Sequence, residues 1–179
     1  EIVGANLRGD RGEFFTPRNV MKMVVEMINP KMDERVLDSS CGTGGFLVTA
    51  MTHVIADLER EYSAQIGRNK CDWDGDSIRA FNDRISDMAS HYYFGFDINP
   101  DLVKATKMNM VMNNDGSGNI LQTNSLLPPH EWTDEFRTKL ADAIGVDKSE
   151  IRNHNTIAYF DVIVTNPPFG SKIPVKDKN

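Results

Sequence analysis

The stretch FDVIVTNPPFG, Phe160 to Gly170, ends an apolar, strand-like run in an amide, two prolines and an aromatic ring. Proline fixes φ and carries no N–H, and the residue before a proline is driven to extended backbone. Asn166-Pro167-Pro168-Phe169 therefore forms a rigid corner that offers acceptors without competing donors. Such a corner reads either as a plain turn after a strand or as a site where the Asn166 side-chain oxygen and the Pro167 carbonyl accept both N–H bonds of an exocyclic aromatic amine. Such an amine is a weak nucleophile because its lone pair is delocalised into the ring. Two acceptors favour a pyramidal nitrogen and localise that pair. Phe169 offers a flat face for the ring that carries the amine.

A second group lies in VLDSSCGTGGF, Val36 to Phe46, a strand running into a glycine turn and then a helix. Gly42, Gly44 and Gly45 read G-x-G-G, a partial match to the dinucleotide fingerprint. Glycines suit a sharp turn and close approach of a ligand to the backbone. Asp97, ending the strand in FGFDINP, is placed to accept ribose hydroxyls; its alternative is a helix cap, which Asn99-Pro100 supplies equally well. Asp38 precedes the glycines. A pyrophosphate is repelled by that carboxylate, whereas the cationic ends of S-adenosylmethionine are not, so this cofactor is preferred to NAD. Cys41 reads as a small buried residue, since no base stands near it to make a nucleophile.

These residues need a frame. TPRNVMKMVVEMINP predicts a helix with Thr16 as N-cap, Pro17 in the first turn, an apolar stripe of Val20, Met23, Val24, Met27 and Ile28, and Pro30 at the end. Arg35 to Asp38 reads as a strand, and a helix follows from about Phe46 with Leu47, Ala50, Met51, Val54 and Leu58 on one face. Tyr92 to Ile98 is a second strand, NPDLVKATKMNMVMNN a helix whose Met stripe packs in the core, and Asn119 to Thr123 and Phe160 to Thr165 two more strands. The alternation predicts an α/β fold: an open, mainly parallel, Rossmann-like sheet with helices on both faces. Residues 61–90 read as a polar, irregular insertion, and residues 127–155 as a long polar stretch with a helix near Asp134 to Ala143.

Composition narrows the class. A chain of 179 residues, 40% hydrophobic and 26% charged, suits one soluble globular domain, and no run reaches the length of a membrane span. Cys41 and Cys71 form no C-x-x-C pair and the four histidines are scattered, so neither a disulfide nor a metal site is expected, and a reducing cytoplasm is. A net charge of −6 is a poor footprint for gripping DNA alone. Basic patches remain at Arg8, Arg11, Arg18 and Lys22, and at Lys172, Lys176 and Lys178.

With GEFFTP, VLDSSCGTGGF, FGFDINP and NPPF in that order, the chain resembles the amino-group (N6-adenine) DNA methyltransferases, and more narrowly the modification subunit of type I restriction–modification systems. The resemblance implies a Rossmann-like methyltransferase domain and site-specific methylation of double-stranded DNA, with DNA-specificity and restriction subunits as partners. It implies that Phe15, Thr16 and Pro17 close over the cofactor. Asp38, Cys41, Gly42, Thr43, Gly44, Gly45 and Phe46 take its methionine part, Asp97 its ribose and Ile98 its adenine ring. Asn124 stands where the family often has an acidic residue reading the cofactor's adenine, and Ser39-Ser40 where Pro-Ala or Pro-Ser is common. Asn166, Pro167, Pro168 and Phe169 become the catalytic corner.

Cytosine C5 chemistry needs a Pro-Cys nucleophile, which is absent. Two rivals stay open: a methyltransferase acting on a protein glutamine amide or on RNA, and an incomplete, cofactor- or partner-binding fragment. Both ends read as cuts through a longer protein, with the domain C-terminally truncated and later strands of the sheet missing.

Overall fold

The computed structural model describes residues 15–113, 116–152 and 156–167. Pro168 and Phe169, the first fourteen residues and the terminal lysines lie outside them. Four strands, β1 (Val36–Asp38), β2 (Tyr93–Asp97), β3 (Ile120–Gln122) and β4 (Val162–Ile163), pair in parallel in the order β3-β2-β1-β4. The chain moves outward from β1 to β3, then returns to the other side of β1. The order therefore reverses between β1 and β4, and in open α/β sheets ligands bind beyond the carboxyl ends of the strands at such a point. Asp38 ends β1 there, and Asn166 follows β4.

Strand alternation divides the core. Val36, Tyr93, Ile120 and Val162 face one layer of helices: α1 (Arg18–Ile28), α2 (Gly45–Ile66), α3 (Gly75–Tyr92) and α4 (Pro100–Met112). Leu37, Phe94, Phe96 and Leu121 face the other, where α5 (Asp134–Ile144) packs with Phe136, Leu140 and Ile144. Phe160 joins this second layer edge-on to Phe94, ring centroids 5.1 Å apart. Each such buried side chain contributes about 1.5–3 kcal/mol of transfer free energy. Local signals start and stop the helices: Asn99 accepts from Asp101 N–H at 3.0 Å ahead of Pro100, Thr133 accepts from Phe136 N–H at 3.2 Å, and Gly145 ends α5 at φ 75°. Among the described residues no helix is long and apolar enough to cross a membrane.

Three local expectations need correction. Residues 61–90 are not irregular: α2 runs on to Ile66, and α3 places Phe81, Ile85, Met88 and Ala89 in the core at helical spacing. A hydrophilic outer face had hidden that stripe. In α1 the buried residues are Met21 and Val25, packed toward α2, while Val20, Met23, Met27 and Ile28 are exposed, Met27 by 78%. Likewise α4 buries Val103, Thr106 and Met110 but leaves Met108 and Met112 outside. Finally, Thr16 does not cap α1. The cap position is Pro17, with no side-chain bond, and the Thr16 hydroxyl serves elsewhere.

Candidate active site

The turn from β1 to α2 takes a left-handed backbone at Gly42 (φ 55°) and Gly44 (φ 83°). A Cβ on Gly44 would sit 2.9 Å from Thr106 Cγ2, and one on Gly45 would sit 2.7 Å from Met21 Sδ. Helices α4 and α1 thus press on the turn where only glycine leaves room. The turn's peptides are tied down on all sides. Cys41 N–H donates to the Phe96 carbonyl at 2.9 Å, and Gly42 N–H to Asp97 Oδ2 at 3.0 Å. The Thr106 hydroxyl donates to the Gly42 carbonyl at 2.7 Å, and Asn109 Nδ2 to the Thr43 carbonyl at 2.8 Å. Such satisfied, inflexible backbone is the preorganisation a binding site requires.

Between this turn and the corner after β4 lies an open cleft, with a cavity volume of about 80 Å³. Phe15, Thr16, Asp38, Cys41, Gly42, Thr43, Gly45, Phe46 and Asn166 line it, together with Met21 and Ser40. Asn166 and the glycine turn, far apart in sequence, share one wall-to-wall space. Asn166 Nδ2 donates to Thr16 Oγ1 at 2.8 Å. Asp38 is buried, and desolvation pushes its carboxyl up to about 7, against the Ser40 N–H and the Thr165 hydroxyl, which lower it; the Asp97 charge adds to the rise. A buried carboxylate with no cation beside it among the described residues makes the cavity suited to a positively charged ligand. Burial likewise pushes the Cys41 thiol up to about 12, so it is neutral and packs rather than attacks, as its setting in the sequence suggests.

A family model for N-6 DNA methylases matches residues 4–179. The chain belongs to that family. This N-6 DNA methylase chain is 52% identical over 46 residues to the type I restriction enzyme EcoEI methylase subunit of Escherichia coli, covering 26% of this chain and 9% of that protein. It is 27% identical over 164 residues to the EcoKI methylase subunit of Escherichia coli strain K12, covering 89% of this chain and 24% of the relative. The crystal structure of a modification subunit of a putative type I restriction enzyme from Vibrio vulnificus YJ016 superposes with a TM-score of 0.50 at 28% identity, over 90% of this chain and 25% of that one. The chain thus spans about a quarter or less of the length of these relatives.

Other candidate residues of the N-6 DNA methylase chain stand outside the cavity wall. Asp97 buttresses it from behind: Oδ2 takes Gly42 N–H and Oδ1 takes Asn99 N–H at 2.8 Å. A carboxylate oxygen accepts two bonds, so each retains a second lone pair. Ile98 beside it is 63% exposed, and its carbonyl accepts Gln122 Nε2 at 3.2 Å. Asn124 turns its side-chain oxygen back onto Leu126 N–H at 3.1 Å and gives its carbonyl to the Trp132 indole at 3.2 Å. Pro17 and Gly44 shape the wall without lining it, and Pro167 is exposed beside Asn166.

Sequence reasoning missed Ser40 and Met21 in the lining, and Thr106 and Asn109 behind it. The last two left no local signal: their bonds to the turn span 64 and 66 residues, and only the structure shows Thr106 fully buried.

Proposed function

We propose that this chain carries the catalytic centre that transfers a methyl group to the N6 amine of a flipped-out adenine in double-stranded DNA, within the modification subunit of a type I restriction–modification complex. The observation that carries the reading is the shared cavity: the Asn166 amide and the buried Asp38 with its glycine turn line the same space. Family membership supports DNA as substrate over a protein glutamine or RNA. S-adenosylmethionine, when bound, supplies an activated methyl on a positively charged sulfur. Its cationic part fits Asp38 and the glycine turn, where Gly42 leaves the backbone bare. Phe15, Thr16 and Phe46 wall it in, Asp97 has lone pairs left for a ribose, and Ile98 offers exposed apolar surface for an adenine ring.

On the substrate side, Asn166 Oδ1 and the Pro167 carbonyl accept the amine's two N–H bonds. Catalysis by such a corner is positioning and electrostatics. The nitrogen sheds a proton to solvent once it carries the methyl, because it is then acidic, and no strong base is needed. Extruding the base costs a few kcal/mol, and stacking on an aromatic such as Phe169 returns about 1–3. With a net charge of −6, DNA grip and sequence choice fall to the DNA-specificity subunit, alongside a restriction subunit.

Labelled methyl transfer from the intact complex to DNA, RNA and protein tests the proposal. Label recovered as N6-methyladenine in DNA is expected; label confined to protein or RNA would exclude it.

The site also sets a pH dependence. Without a cationic partner Asp38 is destabilising when charged, so its contribution to folding is fully present below the ordinary value of 3.8 and is lost as pH rises through about 7. Cofactor binding has the opposite sign, because the cation needs the ionised carboxylate. Affinity is expected to rise roughly tenfold between about pH 6 and about pH 8. Asp38→Asn should bind weakly with that increment removed, which also corrects for the ligand's own titration. An identical pH slope in the two proteins, read by calorimetry, would take Asp38 out of the site.

A further inference from the structure

We infer that Thr16 is a positioning residue for the amine-accepting Asn166. The inference rests on the methyl-transfer reading above and adds to it how the acceptor is oriented. A terminal amide has a broad, two-fold torsional preference, so an Asn on an exposed corner can present either its oxygen or its NH₂. Only the oxygen serves an incoming amine; the NH₂ would set donor against donor. Asn166 Nδ2 donates to Thr16 Oγ1 at 2.8 Å, which fixes the plane of the amide; because a hydroxyl can also donate, this aim holds while the Thr16 proton is turned away from Asn166. Oδ1 is then the amide atom left to accept, and among the described residues no donor occupies it.

Thr16 is itself registered on the cofactor side. The next residue, Pro17, accepts the N–H groups of Val20 and Met21 at 3.0 and 3.1 Å, which starts α1. Met21 lies so close to Gly45 that an added Cβ would meet its sulfur at 2.7 Å. The start of α1 is thereby docked on the glycine turn, and Phe15 and Thr16 form part of the cavity wall. One hydroxyl transmits that docking to the corner after β4.

The test uses the intact modification complex, measuring the single-turnover rate of methyl transfer to adenine-containing DNA and, separately, S-adenosylmethionine affinity by calorimetry. Thr16→Val, which keeps the shape of the wall and removes the hydroxyl, is expected to slow transfer at saturating cofactor about tenfold, a larger loss than any in affinity, the loss of one directed hydrogen bond. Thr16→Ala, a second hydroxyl-free variant, should behave alike, and Thr16→Ser should recover the rate to within about threefold. In an Asn166→Ala background Thr16→Val should slow transfer no further, because the residue it orients is gone. An undiminished rate in Thr16→Val, parallel loss of rate and affinity, failure of Thr16→Ser to recover, or independent effects in the double variant would each overturn the inference. Those results leave the methyl-transfer reading standing provided Asn166→Ala is itself slow; a fully active Asn166→Ala would instead refute that reading.

Discussion

Asn166→Ala is expected to lower methyl transfer by about 10²–10³-fold, the scale of losing one preorganised polar group aimed at a reacting centre. S-adenosylmethionine affinity should stay within about twofold, since the buried carboxylate and satisfied loop peptides belong to β1, β2 and α4 and do not rest on this side chain. In the proposed reaction the amide meets the substrate amine and localises its lone pair, while among the described residues its nitrogen bonds to Thr16, so the two quantities separate. Single-turnover rates beside calorimetric titrations decide the matter. Equal loss of rate and affinity would make Asn166 part of the cofactor wall and nothing more.

The complementary result is expected at Asp97. Asp97→Ala strips the acceptor from the Gly42 and Asn99 N–H groups at once. An orphaned, partly buried amide costs about 1–3 kcal/mol, so affinity for S-adenosylmethionine should fall by about tenfold to a hundredfold. The transfer rate at saturating cofactor should change far less. Two effects sum in that loss: the turn loosens, and the remaining carboxylate lone pairs disappear. Asp97→Asn, which retains one acceptor oxygen, should fall between. Affinity unchanged in Asp97→Ala would show that the turn is shaped without it.

The parts of this architecture legible in the sequence are those dictated by short-range pattern. The glycines after β1, the α2 face of Leu47, Ala50, Met51, Val54 and Leu58, and the parallel α/β order all follow from local periodicity, and the structure has them. Helix α1 shows the limit. Opposite a polar stripe of Arg18, Asn19, Lys22 and Glu26 its apolar arc is broad, so periodicity cannot choose which part of the arc meets the protein, and the Met21–Val25 edge faces inward. The 61–90 stretch failed for the converse reason: charged residues crowd one face of α3 and mask the core positions on the other. At the site, the lining was readable because its residues sit in turns with unusual backbone demands. The bracing was not, since Thr106 and Asn109 reach the turn across separations of 64 and 66 residues that no local window spans.

The tie between Arg35 and Asp161 spans 126 residues, and that between Thr16 and Asn166 spans 150. Closing such long loops is entropically costly and kinetically slow, so high contact order falls on one element, β4. During synthesis the nucleotide-type half, β1 through β3, leaves the ribosome well before the strand that completes the reaction corner. A chain synthesised only as far as β3 can therefore already form the glycine turn and the α4 contacts that brace it, while the corner after β4 waits on contacts 126 and 150 residues apart in sequence.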